Sequence, residues 1–482
     1  MIYRPLHSIR SFHAAILLFI AFSFVMLPVR NGYILRWYDE MSIFMSGEVF
    51  LNRMLHCPGG MLQYAGAWLT QFMYFPWAGS AILIALWVIL TIICDRVWRL
   101  REGLRGLSLL PAMFLLVSVL VLDEAWVSIN YPGYLFAPTL GTICIVTIAA
   151  VARLIANNIW RGVFLAACTS LFMPLGFFAL LGAIVGILTP VSPRHENTGH
   201  KKQPTYIGIL PVIVAIALIP LLYYNFYTGM SGDIKSLYIQ GLPDLLVKRH
   251  DLYLWLPIAG LTVTLLLLPL MALIMPTEGS AKLGRVRWLT FAVLIAAGCY
   301  GAIAGQKSEQ FRATVLMMQH IDSMRWDKIA YIMSHIKEEP NFTMKIAGNL
   351  AAIKLGGGTE SVRHDAPLHD TSPRKSEEFL MSAFVNVPVY YHLGNTHGSY
   401  RWAMEHTVKY GPRVFYYKYM VRNSIMHGEY ELASRYNRLL LNTMFHRRWA
   451  EHFQRYIDNP ELIKESREFN SIPGNPSEKL FI

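Results

Sequence analysis

The sequence predicts an all-α protein: a polytopic membrane helix bundle of about nine spans, one of them a short hairpin, followed by a helical-repeat domain outside the membrane. Composition is the first observation, because 54% of the 482 residues are hydrophobic and only 15% are charged, which is more apolar surface than a soluble core needs. Second, several apolar runs reach the roughly 18 residues that cross a bilayer. Third, residues 305–482 change to a polar, helical pattern. We therefore expect a membrane domain over 1–304 and an extramembrane domain over 305–482.

The apolar runs define the spans in order. We place them near 12–29, 77–98, 104–122, 134–155, 206–224, 252–275 and 286–304. The stretch 162–188 would be about 40 Å long as a helix, too long for one simple span and short for two. Pro174 divides this stretch, so a tight hairpin of two short helices is the interpretation we favour.

Positive residues orient the spans. Lys and Arg concentrate before the first span and after the second, the fourth and the hairpin, and such loops face the cytoplasm. Only the hairpin interpretation places all of these loops on the cytoplasmic side. The N-terminus is then inside and 305–482 is outside. Much of the excess positive charge behind the formal +12 then lies in short loops that orient the spans. Nucleic acid is therefore not an expected partner. The five cysteines lack metal-ligand spacing, so we predict no metal site from them.

The segment 31–76 is an outer loop with two expected interfacial helices. Over Tyr38 to Leu55, apolar residues fall on one stripe at helical spacing, which is typical of a helix lying in the membrane surface. Met61 to Phe75 is rich in Tyr, Trp and Phe, the residues of the interfacial belt. We expect a continuous helix over each stretch.

The domain 305–482 is expected to be wholly helical. Trp326 to Ala330 opens a helical period, Pro340 interrupts it, and the pattern returns around Ala433 and Trp449-Ala450. Small residues with aromatic residues between them resemble the tetratricopeptide repeat, in which paired helices stack. Residues 356–378 are rich in Gly, Ser, Asp and His and are predicted to form a loop.

Asp39 and Glu40 are the leading catalytic candidates, because ionisable residues at membrane depth are functional-site hypotheses by default. One of them would act as a general base, or would bind a divalent cation, the only cofactor considered. The alternative is an N-terminal cap for the interfacial helix. Asp123 and Glu124 end the third span on the same face and either join the first pair around a metal or sugar hydroxyls, or form a solvated helix end.

The outer cations form a candidate substrate site. They interrupt the expected scarcity of positive charge on that face and suit a phosphate or pyrophosphate, although contact with anionic headgroups explains them equally. The residues are Arg36, Arg53, Lys248, Arg249 and His250, with His56 as a further candidate for proton transfer. Alternatively, a turn between the two interfacial helices explains Pro58-Gly59-Gly60, and His56 then needs no role in proton transfer.

The first third, with Asp39-Glu40 directly after the first span, resembles the membrane glycosyltransferases of the GT-C class. The resemblance implies a polyprenyl-phosphate-linked sugar donor, a carboxylate that deprotonates the acceptor, and cations that hold the donor phosphate. The whole chain, including Gly59-Gly60-Met61-Leu62-Gln63-Tyr64, is also similar to uncharacterised multi-pass proteins of Bacteroidota. That resemblance implies the bacterial inner membrane, with 305–482 in the periplasm.

Two functional hypotheses follow. The first is a GT-C-like glycosyltransferase that uses a lipid-phosphate sugar at the periplasmic face. The alternative is a non-catalytic, membrane-anchored scaffold whose helical-repeat domain binds a protein of the cell envelope. A transporter is a third class, disfavoured because the two halves show no internal repeat and the spans hold few ionisable residues.

Overall fold

In a computed structural model the protein is built from α-helices joined by short turns. The structure describes residues 6–100, 103–122, 133–191, 205–226, 234–242, 252–274, 283–356 and 376–473. The all-helical fold class is therefore confirmed. In the first part of the chain the α-helices are Leu6–Phe24, Gly32–Glu40, Glu48–Leu55, Gly60–Thr70, Pro76–Trp98, Leu110–Leu120, Ala137–Leu154, Asn158–Thr169, Phe172–Leu175, Phe177–Leu188, Thr205–Phe226, Leu252–Ile274 and Leu283–Ala304.

Five of these segments are long and apolar enough to cross a membrane. They are Phe12–Arg30, Pro76–Trp98, Ala137–Leu154, Gly208–Phe226 and Leu254–Ile274. Three shorter apolar segments, Arg105–Leu120, Phe177–Leu188 and Thr290–Ala304, complete the set within the described residues. The helices fall where the sequence places its spans, and the protein is a membrane protein by this criterion, whereas the number of spans stays a prediction.

The stretch 162–188 folds back on itself as a hairpin. Its arms are Asn158–Thr169 and Phe177–Leu188, separated by a short turn that contains Pro174 and by Gly176, which has φ +59°. The Arg161 guanidinium donates to the carbonyl of Gly186 over 2.5 Å and also contacts that of Thr189. These bonds satisfy carbonyls at the end of the second arm, which its own helix leaves without partners.

The first long helix changes geometry at its C-terminal end. Around Pro28, which cannot donate to the helical ladder, the turn widens into a π-helix over Val25–Arg30. The Asn31 side chain donates to the Met26 carbonyl over 2.7 Å, which satisfies one of the groups that this irregularity frees. Helix Gly32–Glu40 then starts in a new direction.

Segment 31–76, which the sequence predicts to lie outside and which we call the outer segment, corrects one expectation. A single helix over Tyr38 to Leu55 is wrong, because the chain leaves helix after Glu40 and resumes it only at Glu48, with Gly47 extended before it. Serine and glycine in the interval favour such a break. The apolar residues of this stripe still form a packing surface, because Phe44, Phe50 and Met54 are buried in one cluster with Ala67. The second stretch is helical over Gly60–Thr70 and continues as a 3-10 turn.

The Gly59-Gly60 run is explained by a close approach of three turns. Gly59, Gly176 and Gly241 all have positive φ, and a Cβ on Gly59 would lie 2.8 Å from the Gly241 Cα. Gly59 also donates to the Met173 carbonyl over 2.8 Å. The run therefore joins the outer segment to the hairpin turn.

After residue 305 the helices follow one another as antiparallel neighbours, each packed on the next. Ala433 and Ala450 are buried where helices touch, as the pattern predicts, but Ala330 is exposed and the adjacent Ile329 is the buried residue. The expected loop 356–378 lies mostly outside the described residues, and its end, 376–378, is already helical. The helices are Glu309–Asp322, Trp326–His335, Phe342–Lys354, Ser376–His392, Thr396–Tyr410, Val414–Met426, Tyr430–Leu441, Arg447–Asp458 and Arg467–Asn470. The tetratricopeptide likeness stays a prediction.

Candidate functional site at the Asp39-Glu40 pair

The acid pair lies at the carboxyl end of helix Gly32–Glu40. The N-terminal cap expected as the alternative is therefore wrong in this structure, because these residues end a helix instead of starting one. The end of a helix carries a partial negative charge that disfavours carboxylates. Asp39 is nevertheless only 4% exposed, so its environment must supply hydrogen-bond partners or compensating charge.

Lys418 supplies positive charge from a helix after residue 305, and His446 supplies a hydrogen-bond partner. Asp39 Oδ2 lies 2.8 Å from His446 Nε2, and Lys418 Nζ donates to Glu40 Oε1 over 2.6 Å. The second ring nitrogen of His446 is 4.0 Å from the same Glu40 oxygen. An ionised carboxylate can only accept a hydrogen bond, so Nε2 carries the shared hydrogen when Asp39 is charged. We call these four side chains the acid joint.

Burial and charge oppose each other at Asp39. Desolvation by burial raises the pKa of the Asp39 carboxyl, although His446 and Lys418 act in the opposite direction. The adjacent Glu40 also raises this pKa, as a like charge does. Glu40 Oε2 is buried, with no hydrogen-bond partner among the described residues. The acid joint is therefore incompletely satisfied.

Helix Val414–Met426 holds the cations in place. Lys418 and Arg422 are four residues apart and both are buried, which puts them on one helix face. Arg422 is within 2.8 Å of Asp322 and 2.7 Å of Glu468. Burial disfavours ionisation of Asp322, but Arg422 and Lys418 outweigh it and lower its pKa to about 2.

Aromatic side chains close the space around the acid joint. The Tyr74 ring stacks on Phe445 at 5.5 Å and meets His446 edge-on at 5.4 Å. Gln71 accepts a hydrogen bond from the Met444 backbone N–H over 3.2 Å. A cavity lined by Asp39, Ser42, Gln71, Thr443 and His446, among others, has about 10 Å³ of free volume, enough for about one water molecule.

Among the described residues, none of the sequence-predicted cations forms an ion pair with Asp39 or Glu40. Arg36 is exposed, and its guanidinium lies over the Tyr74 ring at 5.7 Å. Arg53 and His56 are exposed at the end of helix Glu48–Leu55, where His56 Nδ1 is 2.5 Å from the Asn52 carbonyl. Asp123, Glu124, Lys248, Arg249 and His250 lie outside the described residues, so the expected meeting of four carboxylates stays a prediction.

Sequence reasoning missed His446 and Lys418. They follow their partners by 407 and 378 residues, and no local pattern links groups so far apart. The one available signal is a lysine and an arginine at i and i+4 within a run of apolar and aromatic residues, over Val414 to Met426. Such cations must be paired when the helix is buried.

Metal ligation has no further support here. Across the described ranges, no three His, Cys, Asp or Glu side chains come together in a way that would hold a metal ion. The divalent cation considered for Asp39 and Glu40 stays untested.

Comparison with known proteins places the chain in a family. The model of the Family of unknown function (DUF6057) matches residues 7–473, nearly the whole chain. No curated protein and no solved structure matches the chain.

Proposed function

The chain belongs to the DUF6057 family, of unknown function, and we propose that it is a membrane-anchored platform. In this proposal the membrane domain holds the C-terminal helical domain in one orientation at the membrane surface, where it binds a protein of the cell envelope. We place the platform in the bacterial inner membrane, with the N-terminus in the cytoplasm and the C-terminal domain in the periplasm.

The acid joint is the observation that carries this proposal. Both carboxylates are already hydrogen-bonded to side chains of the same chain, and the neighbouring cavity has room for about one water molecule. A substrate hydroxyl therefore cannot reach Asp39 unless the two domains separate. Buried ion pairs contribute positional specificity more readily than net stability, which suits a device that sets the orientation of a domain.

Distance measurement between spin labels tests the fixed orientation. Val408 and Leu154, exposed at 83% and 63%, would each be replaced by cysteine after the exposed Cys57 and Cys299 are changed to serine. We expect one narrow distance distribution in the full chain and a broad one after Lys418→Met. A broad distribution in the chain with an intact acid joint would overturn the platform.

In-cell photo-crosslinking tests the partner. A photoreactive residue at Val408 or Tyr331, both exposed, should give a discrete adduct with an envelope protein. The adduct should weaken when Lys418→Met frees the domain. Absence of an adduct at both positions would count against the platform.

One observation favours a second candidate, the lipid-phosphate-dependent glycosyltransferase. Asp39 is buried against His446, and burial raises its pKa, as is found for carboxylates that act as general bases. In this proposal Asp39 or Glu40 takes the acceptor proton once the domains open, and the donor phosphate lies against the outer cations, Arg36 and Arg53 among them.

Release of polyprenyl phosphate in proteoliposomes supplied with a polyprenyl-phosphate-linked sugar tests the transferase. Asp39→Asn keeps a side-chain oxygen for His446 but removes the basic carboxylate, and Glu40→Gln does the same at the next position. We expect the change at whichever residue is the base to abolish transfer without unfolding the protein. Full activity in both variants, or none in the native chain, would exclude this candidate.

A further inference from the structure

A second cavity lies where the membrane helices meet the C-terminal domain. It is a groove of about 450 Å³, within the range of small-ligand sites. Its walls come from the end of the first candidate span, the start of the second, and the first helix after residue 305. Arg30, Tyr33, Trp77 and Arg312 are the lining residues that could bind a polar group. We call it the arginine groove.

The arginine groove opens at the boundary of the apolar helices. Arg30 is the last residue of candidate span Phe12–Arg30, and Trp77 is the second of Pro76–Trp98. Val29 and Trp77 are 69% and 64% exposed, so an apolar surface leads out of the groove along the spans. Tryptophan at such a position is typical of the membrane–water interface.

Two arginines lie at this groove, and the described residues provide no ion-pair partner for either. Arg30 and Arg312 are both exposed and, within the described ranges, neither forms an ion pair. Arg312 lies over the Tyr33 ring at 5.8 Å, which fixes the guanidinium at the groove wall. Both arginines favour a ligand of negative charge.

We propose that the arginine groove binds the phosphate of an anionic membrane lipid. Guanidinium groups match phosphate oxygens in charge and planar geometry, and the exposed Val29 and Trp77 provide the surface along which acyl chains continue into the bilayer. A free phosphate would use the two arginines but not this apolar exit. The site is independent of the platform proposal, because it requires neither a protein partner nor a particular orientation of the C-terminal domain toward one.

Native mass spectrometry of the full-length protein in detergent, titrated with phosphatidylglycerol or phosphatidylcholine, tests the site. We expect preferential retention of phosphatidylglycerol by the native chain. Arg30→Gln with Arg312→Gln should weaken that retention about tenfold or more, because cations near the membrane surface attract anionic lipid. Arg30→Lys with Arg312→Lys should restore part of it by returning the charge.

The matched control removes two other exposed cations, Arg401 and Lys464, which pair with glutamates one turn away on their own helices. Retention should be unchanged in Arg401→Gln with Lys464→Gln. An equal loss in this control, or equal retention in the native chain and the Arg30→Gln and Arg312→Gln variant, would overturn the site. Glycerol 1-phosphate that competes as strongly as phosphatidylglycerol would overturn the lipid as its occupant.

Discussion

Charged side chains are paired within the chain in the acid joint but not in the described part of the arginine groove. In the acid joint, one carboxylate is buried and the other half-buried, and each has a hydrogen-bonding partner within the chain. In the arginine groove, two guanidinium groups are exposed beside a cavity, and the described residues supply no ion pair to either. Charges matched within the chain hold the fold together, because separating them leaves a buried ion. Like charges left unmatched at a cavity favour an external counter-ion.

Lowering the pH should affect the two regions most differently. The C-terminal helices, which supply Lys418 and His446 to the acid joint, contain buried titratable groups, whereas the arginine groove depends on arginine. Burial lowers the pKa of His392 to about 3, with Arg422 adding to the effect. The unfolded chain keeps a histidine pKa near 6.5, so below that pH it binds a proton that the folded domain excludes. Stability is therefore lost as the pH falls from about 6.5 toward 3, by on the order of 4–5 kcal/mol from His392 alone.

Thermal unfolding in nanodiscs across this pH range measures the loss, and His392→Asn should flatten the curve. Asp322, with its pKa lowered to about 2, adds a further loss between pH 4 and 2. Asp39 acts in the opposite direction, since its raised pKa makes protonation favour the folded state. Lipid retention in the groove should not change between pH 8 and 6. A stability curve that is flat from pH 7 to 4 in the native chain would contradict the assignment.

Removing one cation of the acid joint should have the next largest effect. Lys418→Met leaves the Glu40 carboxylate, whose side chain is only 16% exposed, without its lysine partner, and breaking a buried ion pair from one side costs about 3–5 kcal/mol. The melting temperature should fall clearly. Lys464→Met is the matched control, because Lys464 pairs with Glu461 on the surface, where such pairs contribute little. Similar melting temperatures for both variants would show that the joint does not hold the domains.

Removing both members of the pair should be milder than removing one. In Glu40→Gln with Lys418→Met, no unmatched charge remains at this position, so we expect the double variant to be more stable than Lys418→Met alone. The interaction free energy in the double-mutant cycle should be about 0.5–3 kcal/mol. Strict additivity of the two changes would mean that Glu40 and Lys418 do not interact energetically.

Changes in the arginine groove should have the smallest effect on stability. Arg30→Gln with Arg312→Gln removes exposed cations that, in the described residues, belong to no ion pair, and surface substitutions of this kind are close to neutral. We expect an unchanged melting temperature in detergent without anionic lipid, together with the weakened lipid retention described above. A large fall in melting temperature would indicate a structural role for these arginines.

Most helices were predictable because their signal is local. Apolar runs located the segments Pro76–Trp98 and Ala137–Leu154 to within a few residues, and Pro174 marked the hairpin turn. The break after Glu40 was missed because the apolar stripe continues in phase across it, so that periodicity hid the interruption. Ser42, Ser46 and Gly47 were the local signs of that break.

The partners of the candidate site were not predictable in the same way. The sequence indicates that Asp39 and Glu40 need compensation, but not which cations provide it. His446 and Lys418 reach them only through the stacking of the C-terminal helices on the outer segment. Arg30 and Arg312 likewise meet through tertiary packing, and neither stands out among the 43 lysines and arginines of the chain.

The distance along the chain between Glu40 and Lys418 also sets an order of events during synthesis. Lys418 follows Glu40 by 378 residues, which a ribosome adds in roughly 20–75 s at ~5–20 residues per second. During that interval Asp39 and Glu40 have been synthesised, whereas Lys418 and His446, to which they bond, have not. A product truncated before residue 418 therefore contains both acids of the joint but neither of the side chains that bond to them.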